Sequence, residues 1–141
     1  MGLVTVLRKA TPVLIVERIE PSIPFWSKLG LTATTEVPDG TANDGRLAFV
    51  ILAAEGLEIM YQTIGSVKED LLKSASVKEA FRAGPQQTTL YIEVSRLAEV
   101  EKQLEGAKLV VPRRTTFYGS VEVGYAEPAG NIIVFAEHQG G

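Results

Sequence analysis

One order of elements occurs twice along this chain, and that repetition limits its fold more than any other feature. Thr11 to Val16 is a short apolar run with β-branched residues, which predicts a strand. Pro12 near its start suits a strand beginning or an edge. Ile19, Ile23, Trp26 and Leu29 recur at helical spacing and predict a helix over 19–29, with Gly30 as its C-cap. Pro21 fits a first helical turn, whereas Pro24 delays the helix or kinks it. Leu31 to Val37 predicts a second strand, and turn chemistry runs from Pro38-Asp39-Gly40 to Asp44-Gly45. Arg46 to Leu52 and Leu57 to Gln62 then form a hairpin around Ala53-Ala54-Glu55-Gly56. The result is a β-α-β-β-β unit.

The second half repeats this order. Thr89 to Val94 predicts a strand, Leu97 to Leu104 a helix closed by Gly106, and three more strands follow over Lys108 to Thr115, Ser120 to Ala126 and Asn131 to Ala136. Val16-Glu17-Arg18-Ile19 aligns with Val94-Ser95-Arg96-Leu97, and Trp26 with Leu104. Near the ends of the halves Gly56 meets Gly130, Ile59 meets Ile133 and Tyr61 meets Phe135. Self-similarity of this kind outweighs any single match. Between the halves, Ser66-Val67-Lys68-Glu69 and Ser76-Val77-Lys78-Glu79 read as capping boxes. Val67, Leu71, Leu72 and Ala75 fit one helix, and Val77, Ala80 and Phe81 a shorter one. The expected organisation is a single α+β domain: module 1 over 10–62, a helical arm over 64–84 and module 2 over 88–137.

Composition removes several functions. The chain has 141 residues, no cysteine, a single histidine and a net charge of −3. Disulfide scaffolds, cysteine nucleophiles and zinc–thiolate sites are excluded. Any histidine-based triad must use His138, which is expected just beyond the last strand as a surface tail residue. The charge shows no basic excess, so nucleic acid is not an expected partner. No apolar run approaches the roughly 20 residues of a membrane span. The segment Met1 to Lys9 lacks a signal peptide's layout, and Val6 stands where a myristoylation motif after Gly2 needs Ser or Thr. A cytoplasmic location is the expectation.

Strand alternation separates two faces. Leu57, Ile59 and Tyr61 form an apolar set, with Glu58, Met60 and Gln62 opposite; Leu90, Ile92 and Val94 form another, with Thr89, Tyr91 and Glu93 opposite. If helices cover the apolar sets, the opposite sets line a concave, partly polar surface of the kind that binds small molecules. The alternative is an open, solvated sheet face.

The segment Val16-Glu17-Arg18-Ile19-Glu20-Pro21-Ser22-Ile23-Pro24-Phe25-Trp26, followed by Gly30-Leu31, resembles the first strand-to-helix segment of the vicinal oxygen chelate superfamily. That superfamily includes glyoxalase I, bleomycin resistance proteins and extradiol dioxygenases. Tyr118-Gly119 and Glu127-Pro128-Ala129-Gly130-Asn131, with the strand through Glu137, resemble its last turn and strand. The resemblance covers nearly the whole chain. It implies paired modules whose strands form a curled mixed sheet with a cleft, and in metal-dependent members four His, Gln or Glu ligands in that cleft. Carried across, those positions fall on Thr11, Thr89, Val134 and either Glu58 or Met60. A divalent metal needs several converging N or O donors, and this set does not supply them. No cofactor is expected, with a divalent metal as the alternative.

The resemblance then implies a homodimer that sequesters a small organic ligand between subunits. Expected lining residues are Phe49, Glu58, Met60, Tyr91, Glu93, Tyr118 and Glu122. Tyr91 and Tyr118 could stack on a planar ligand, and the three glutamates could meet a cationic group. Trp26 belongs to the core, and Arg113-Arg114 reads as an exposed basic pair at a strand end. Two alternatives stand beside this reading. One is a lyase, isomerase or dioxygenase that recruits a metal or uses Glu58 or Glu93 as general base. The other is an interaction-only dimerisation module.

Overall fold

The computed structural model describes residues 6–71 and 74–139. Gly2, and Leu72 of the expected helix, lie outside the described residues. The first repeat comprises β1 (Val13–Val16), a 3-10 turn (Glu20–Ser22), α1 (Ile23–Ser27), β2 (Thr32–Pro38), β3 (Leu47–Ala54) and β4 (Leu57–Thr63). Two connecting helices follow, α2 (Ile64–Leu71) and α3 (Ala75–Ala80). The second repeat comprises β5 (Thr89–Glu93), α4 (Leu97–Gln103), β6 (Lys108–Thr115), β7 (Ser120–Ala126) and β8 (Ile132–His138).

The fold is α+β, as expected, and its strands form two four-stranded mixed sheets. Sheet A has the order β1-β4-β3-β2 and sheet B the order β5-β8-β7-β6. In each, the first strand of the repeat runs parallel to the last, and the other pairings are antiparallel. The repeats also match in their glycines. Gly30 and Gly106 end the two helices at φ of +90° and +91°, a conformation that residues with a Cβ resist.

Alternation decides which face is buried. Val50, Leu52, Ile59 and Tyr61 of sheet A, and Val123, Tyr125, Ile133 and Phe135 of sheet B, belong to one core cluster. Phe25 and Trp26 on α1, with Leu97 and Leu104 on or at the end of α4, join the same cluster. The inner faces of both sheets therefore bury into a shared core, and the outer faces point away from it. Edge strand β2 is exposed at all seven positions, and edge strand β6 at seven of its eight. Among the described residues no helix is long and apolar enough to cross a membrane.

Three local expectations are corrected. The helix expected over 19–29 divides into the 3-10 turn and the five-residue α1, each with a proline in its first turn. Proline lacks the N–H that a continuous helix would use there. The capping serines also differ. Thr63 caps α2, its Oγ1 accepting from the Ser66 N–H at 3.1 Å, and Ser74 caps α3, accepting from the Val77 N–H at 3.4 Å. Ser66 and Ser76 thus lie inside the helices that they were expected to open. Finally, β8 extends to His138, which pairs with Ser120 of β7.

Candidate ligand-binding faces

On sheet B, cross-strand register fixes what shares the outer face. Tyr91 pairs with Val134, Val134 with Gly124 and Gly124 with Val111. The next row holds Glu93, Ala136, Glu122 and Arg114. His138 follows Val134 and Ala136 on the same face and is a site residue that the sequence reading placed on a tail. Its Nε2 shares a 3.0 Å hydrogen bond with the Tyr91 hydroxyl, and its Nδ1 lies 3.9 Å from Glu93 Oε1. The apolar run that marked the strand stops at Ala136. Pairing with Ser120 carries the strand two residues further, and only the neighbouring strand supplies that signal.

Glu122 is the buried centre of this face, 2% exposed. Tyr118, from the β6–β7 turn, donates its hydroxyl to Oε2 at 2.5 Å, Ser120 donates to the same oxygen at 3.2 Å, and Arg114 donates to Oε1 at 3.0 Å. The Tyr118 hydrogen bond, followed by those of Arg114 and Ser120, holds the carboxyl below its ordinary value against the opposing effect of burial. Tyr91 and Tyr118 are each about half exposed, at 50% and 54%, so their rings are open to a ligand. The Tyr91 phenol is raised, chiefly by burial.

The outer face of sheet A holds the other three expected residues. Phe49 pairs with Gln62, and Met60 lies between Ile51 and Val13. Ala53 pairs with Glu58. The Glu58 carboxylate accepts from Lys9 Nζ at 2.9 Å and Thr11 Oγ1 at 3.2 Å. The Lys9 bond leads in holding its pKa below the ordinary value. Two of the three expected glutamates therefore already have cationic partners, Lys9 and Arg114. Arg113 pairs with Glu101. The seven residues divide between the two sheets: Phe49, Glu58 and Met60 on sheet A, and Tyr91, Glu93, Tyr118 and Glu122 with sheet B.

The superfamily's metal positions can be tested as a donor set. Thr11 stands beside Glu58, which makes that pair the sheet A contribution. Thr89 pairs with Ile132, and Val134 packs in the Tyr91 row. Two neutral hydroxyls, an alkyl side chain and a carboxylate engaged by a lysine do not fit a divalent ion. Among the described residues no group of three or more His, Asp or Glu side chains is placed to hold a metal.

A second buried carboxylate joins the two modules, and the sequence pattern does not mark it. Glu127, 1% exposed, lies in the β7–β8 turn and reaches into module 1. Its Oε2 accepts from Ser22 Oγ at 2.6 Å and the Tyr61 hydroxyl at 3.0 Å, and its Oε1 accepts from the Asn131 N–H at 2.7 Å. Trp26 Nε1 donates to the Tyr61 oxygen at 2.8 Å. Burial first, and then the Glu127 charge, raise the Tyr61 pKa strongly. The turn motif itself was visible in sequence. Its insertion into the opposite module was not, because no periodicity marks a buried carboxylate.

No family model matches the chain, and no curated protein matches it by sequence. Solved structures do match in fold. A glyoxalase/bleomycin resistance protein/dioxygenase from Nocardioides is 21% identical, with a TM-score of 0.67 over 98% of this chain and 89% of that one. TioX from Micromonospora sp. ML1 is 16% identical, with a TM-score of 0.69 over 91% of this chain and 96% of that one. A bleomycin-binding protein in complex with bleomycin is 15% identical, with a TM-score of 0.61 over 94% of this chain and 100% of that one. At these identities the likeness establishes a shared fold, the one expected from the vicinal oxygen chelate resemblance.

Proposed function

We propose that this chain, built on the glyoxalase/bleomycin resistance/dioxygenase fold, binds a small planar organic ligand without a catalytic metal, in a cleft completed by a second copy of itself. The outer face of sheet B carries the reading: two half-exposed tyrosines flank a carboxylate whose position three donors fix. Preorganised polar groups beside aromatic surface suit recognition of a flat, partly polar molecule. The bleomycin-binding neighbour supports small-molecule binding on this fold. The exposed edges β2 and β6 support a second copy, since both project sheet surface that the chain's own core leaves uncovered. The poor donor set at the superfamily's metal positions supports binding without a metal.

Three measurements test this. Light scattering should give a dimer, and a strict monomer would refute the shared cleft. Metal analysis of protein purified without chelator should find no stoichiometric divalent ion; finding one overturns the metal-free reading. A thermal-shift panel of planar aromatic compounds should yield a stabilising ligand. The shift should be lost in Tyr91→Ala and Tyr118→Ala, and its survival in both would remove these residues from the site.

One observation favours a second reading, acid–base catalysis. Glu93, His138 and the Tyr91 hydroxyl form a carboxylate–imidazole–phenol series on the same face, an arrangement able to take up and return a proton. Exchange of a ligand's carbon-bound proton with deuterated solvent, abolished in His138→Gln, would replace the binding reading with this one.

A further inference from the structure

The repeat makes two junctions between the modules, and they are not alike. Register defines the equivalence. Val50 pairs with Tyr61 in sheet A, and Val123 with Phe135 in sheet B. Leu52 pairs with Ile59, and Tyr125 with Ile133. Two residues on, at the inward position that ends each hairpin arm, stand Ala54 and Glu127. Glu127 reaches Ser22 and Tyr61 across the first junction. The repeat offset that aligns Val16 with Val94 places Val100 opposite Ser22, and Phe135 stands opposite Tyr61. At the second junction every polar member of the lock is thus replaced by an apolar one, and the carboxylate by a methyl group.

The second junction is a groove. Ala54, Val100 and Phe135 all line it, with a cavity volume of about 550 Å³. Trp26, Leu57 and Ile92 add to its apolar wall, and Tyr91 stands at its edge with sheet B. That volume lies within the roughly 300–1,000 Å³ of small-molecule sites. Among the described lining residues the only charged groups are two carboxylates, Glu55 and Glu93. Glu55 has no partner among the described residues. Among the described residues the nearest basic group to Glu93 is His138 at 3.9 Å, charged only when protonated.

We infer that this groove, which meets the outer face of sheet B at Tyr91 and Glu93, is a second binding site for a small amphipathic cation: an aromatic or alkyl body with a protonated amine. The body replaces the packing that a Glu127 equivalent would provide, and the amine meets Glu55 and Glu93 at the rim. The groove's apolar floor follows from the broken repeat, and only its edge residues Tyr91 and Glu93 are shared with the outer-face reading.

The test is an amide-resolved NMR titration of the full chain with 1-naphthylmethylamine, alongside 1-naphthylmethanol and 1-naphthoate. The amine should give saturable shifts at residues 54–57 and at Val100, which are not on the outer face of sheet B, the alcohol weaker ones, and the carboxylate none. Glu55→Gln, on the turn and away from the outer faces, should weaken the amine by about two- to fivefold and leave the alcohol unchanged, as for an exposed charge pair. Ala54→Phe should fill the groove and abolish binding of both. Should that variant not fold, Glu55→Gln decides the matter. The inference is overturned by the absence of saturable shifts, by shifts confined to Phe49, Met60 and Tyr118, by naphthoate binding as tightly as the amine, or by an unchanged amine affinity in Glu55→Gln.

Discussion

Replacing Glu127 tests the junction most directly. The carboxylate accepts three hydrogen bonds from Ser22, Tyr61 and Asn131 and is almost wholly buried. Hydrogen bonds to a charged group contribute about 1.5–3 kcal/mol each. Simple addition overshoots, because the three bonds share one acceptor group and water can enter the space left behind. Leaving a buried donor without its acceptor costs about 1–3 kcal/mol, so with partial relaxation of the three donors about 3–5 kcal/mol is the expected loss for Glu127→Ala. A domain of this kind has about 5–15 kcal/mol in total, so the loss is a large fraction. Glu127→Gln keeps an oxygen for the Asn131 N–H but turns an amide toward two hydroxyls, and about 1–3 kcal/mol is expected. Urea unfolding, followed by far-ultraviolet circular dichroism and by the fluorescence of Trp26, measures both. Tyr61→Phe should cost at least ~1 kcal/mol less in the Glu127→Ala background than in the native protein, since its donor bond is already gone. A Glu127→Ala loss within about 0.5 kcal/mol, the range of an ordinary surface change, would refute the reasoning. So would equal losses for the glutamine and alanine variants.

Other perturbations have equally definite outcomes. A Cβ on Gly124 would stand 2.9 Å from Val111 Cβ and 2.8 Å from its Cγ2, and a side-chain rotation relieves only the second contact. Gly124→Ala should therefore destabilise by about 1–3 kcal/mol in the same urea assay. Tyr118→Phe should raise the Glu122 pKa toward the ordinary carboxylate value, read by carbonyl NMR titration, because the Tyr118 bond is the leading cause of its depression. The sign follows from that depression: the contribution of this bond set is complete above the unfolded carboxylate pKa and is lost as pH falls through the lowered folded value. Tyr118→Phe should accordingly flatten the acid limb of the stability profile. Thr63→Val removes the α2 cap and should cost about 1 kcal/mol by thermal unfolding.

Periodicity and turn chemistry made the repeat legible, because both are local. Alternation at Leu57 to Gln62 identified the buried and open faces before any pairing was known, and Tyr61 and Ile59 are buried as it required. The matched glycines fell where two helices and two hairpins close. What escaped was set by contacts distant in the chain. The end of β8 depends on the register of β7, so His138 read as a tail. The cap of α2 depends on where β4 hands over to the helix, so the sequence pattern points to Ser66 while the structure uses Thr63. Glu127 gains its role from Ser22, 105 positions away in sequence. The division of the seven candidate residues between two outer faces was equally out of reach, since alternation names a face without saying which way its sheet turns.

The exposed edge strand β6 has a consequence for how the protein behaves when crowded. Leu109-Val110-Val111 is an apolar, β-branched run on an edge whose backbone groups can pair with another chain. Lys108 precedes it, and Pro112, Arg113 and Arg114 follow directly. Proline removes a donor from the edge, and like charges oppose stacking of identical copies in register. The basic pair is held by Glu101 and Glu122 of its own chain, which keeps the guard at its post. That exposed strand is thereby fenced against open-ended growth into fibres.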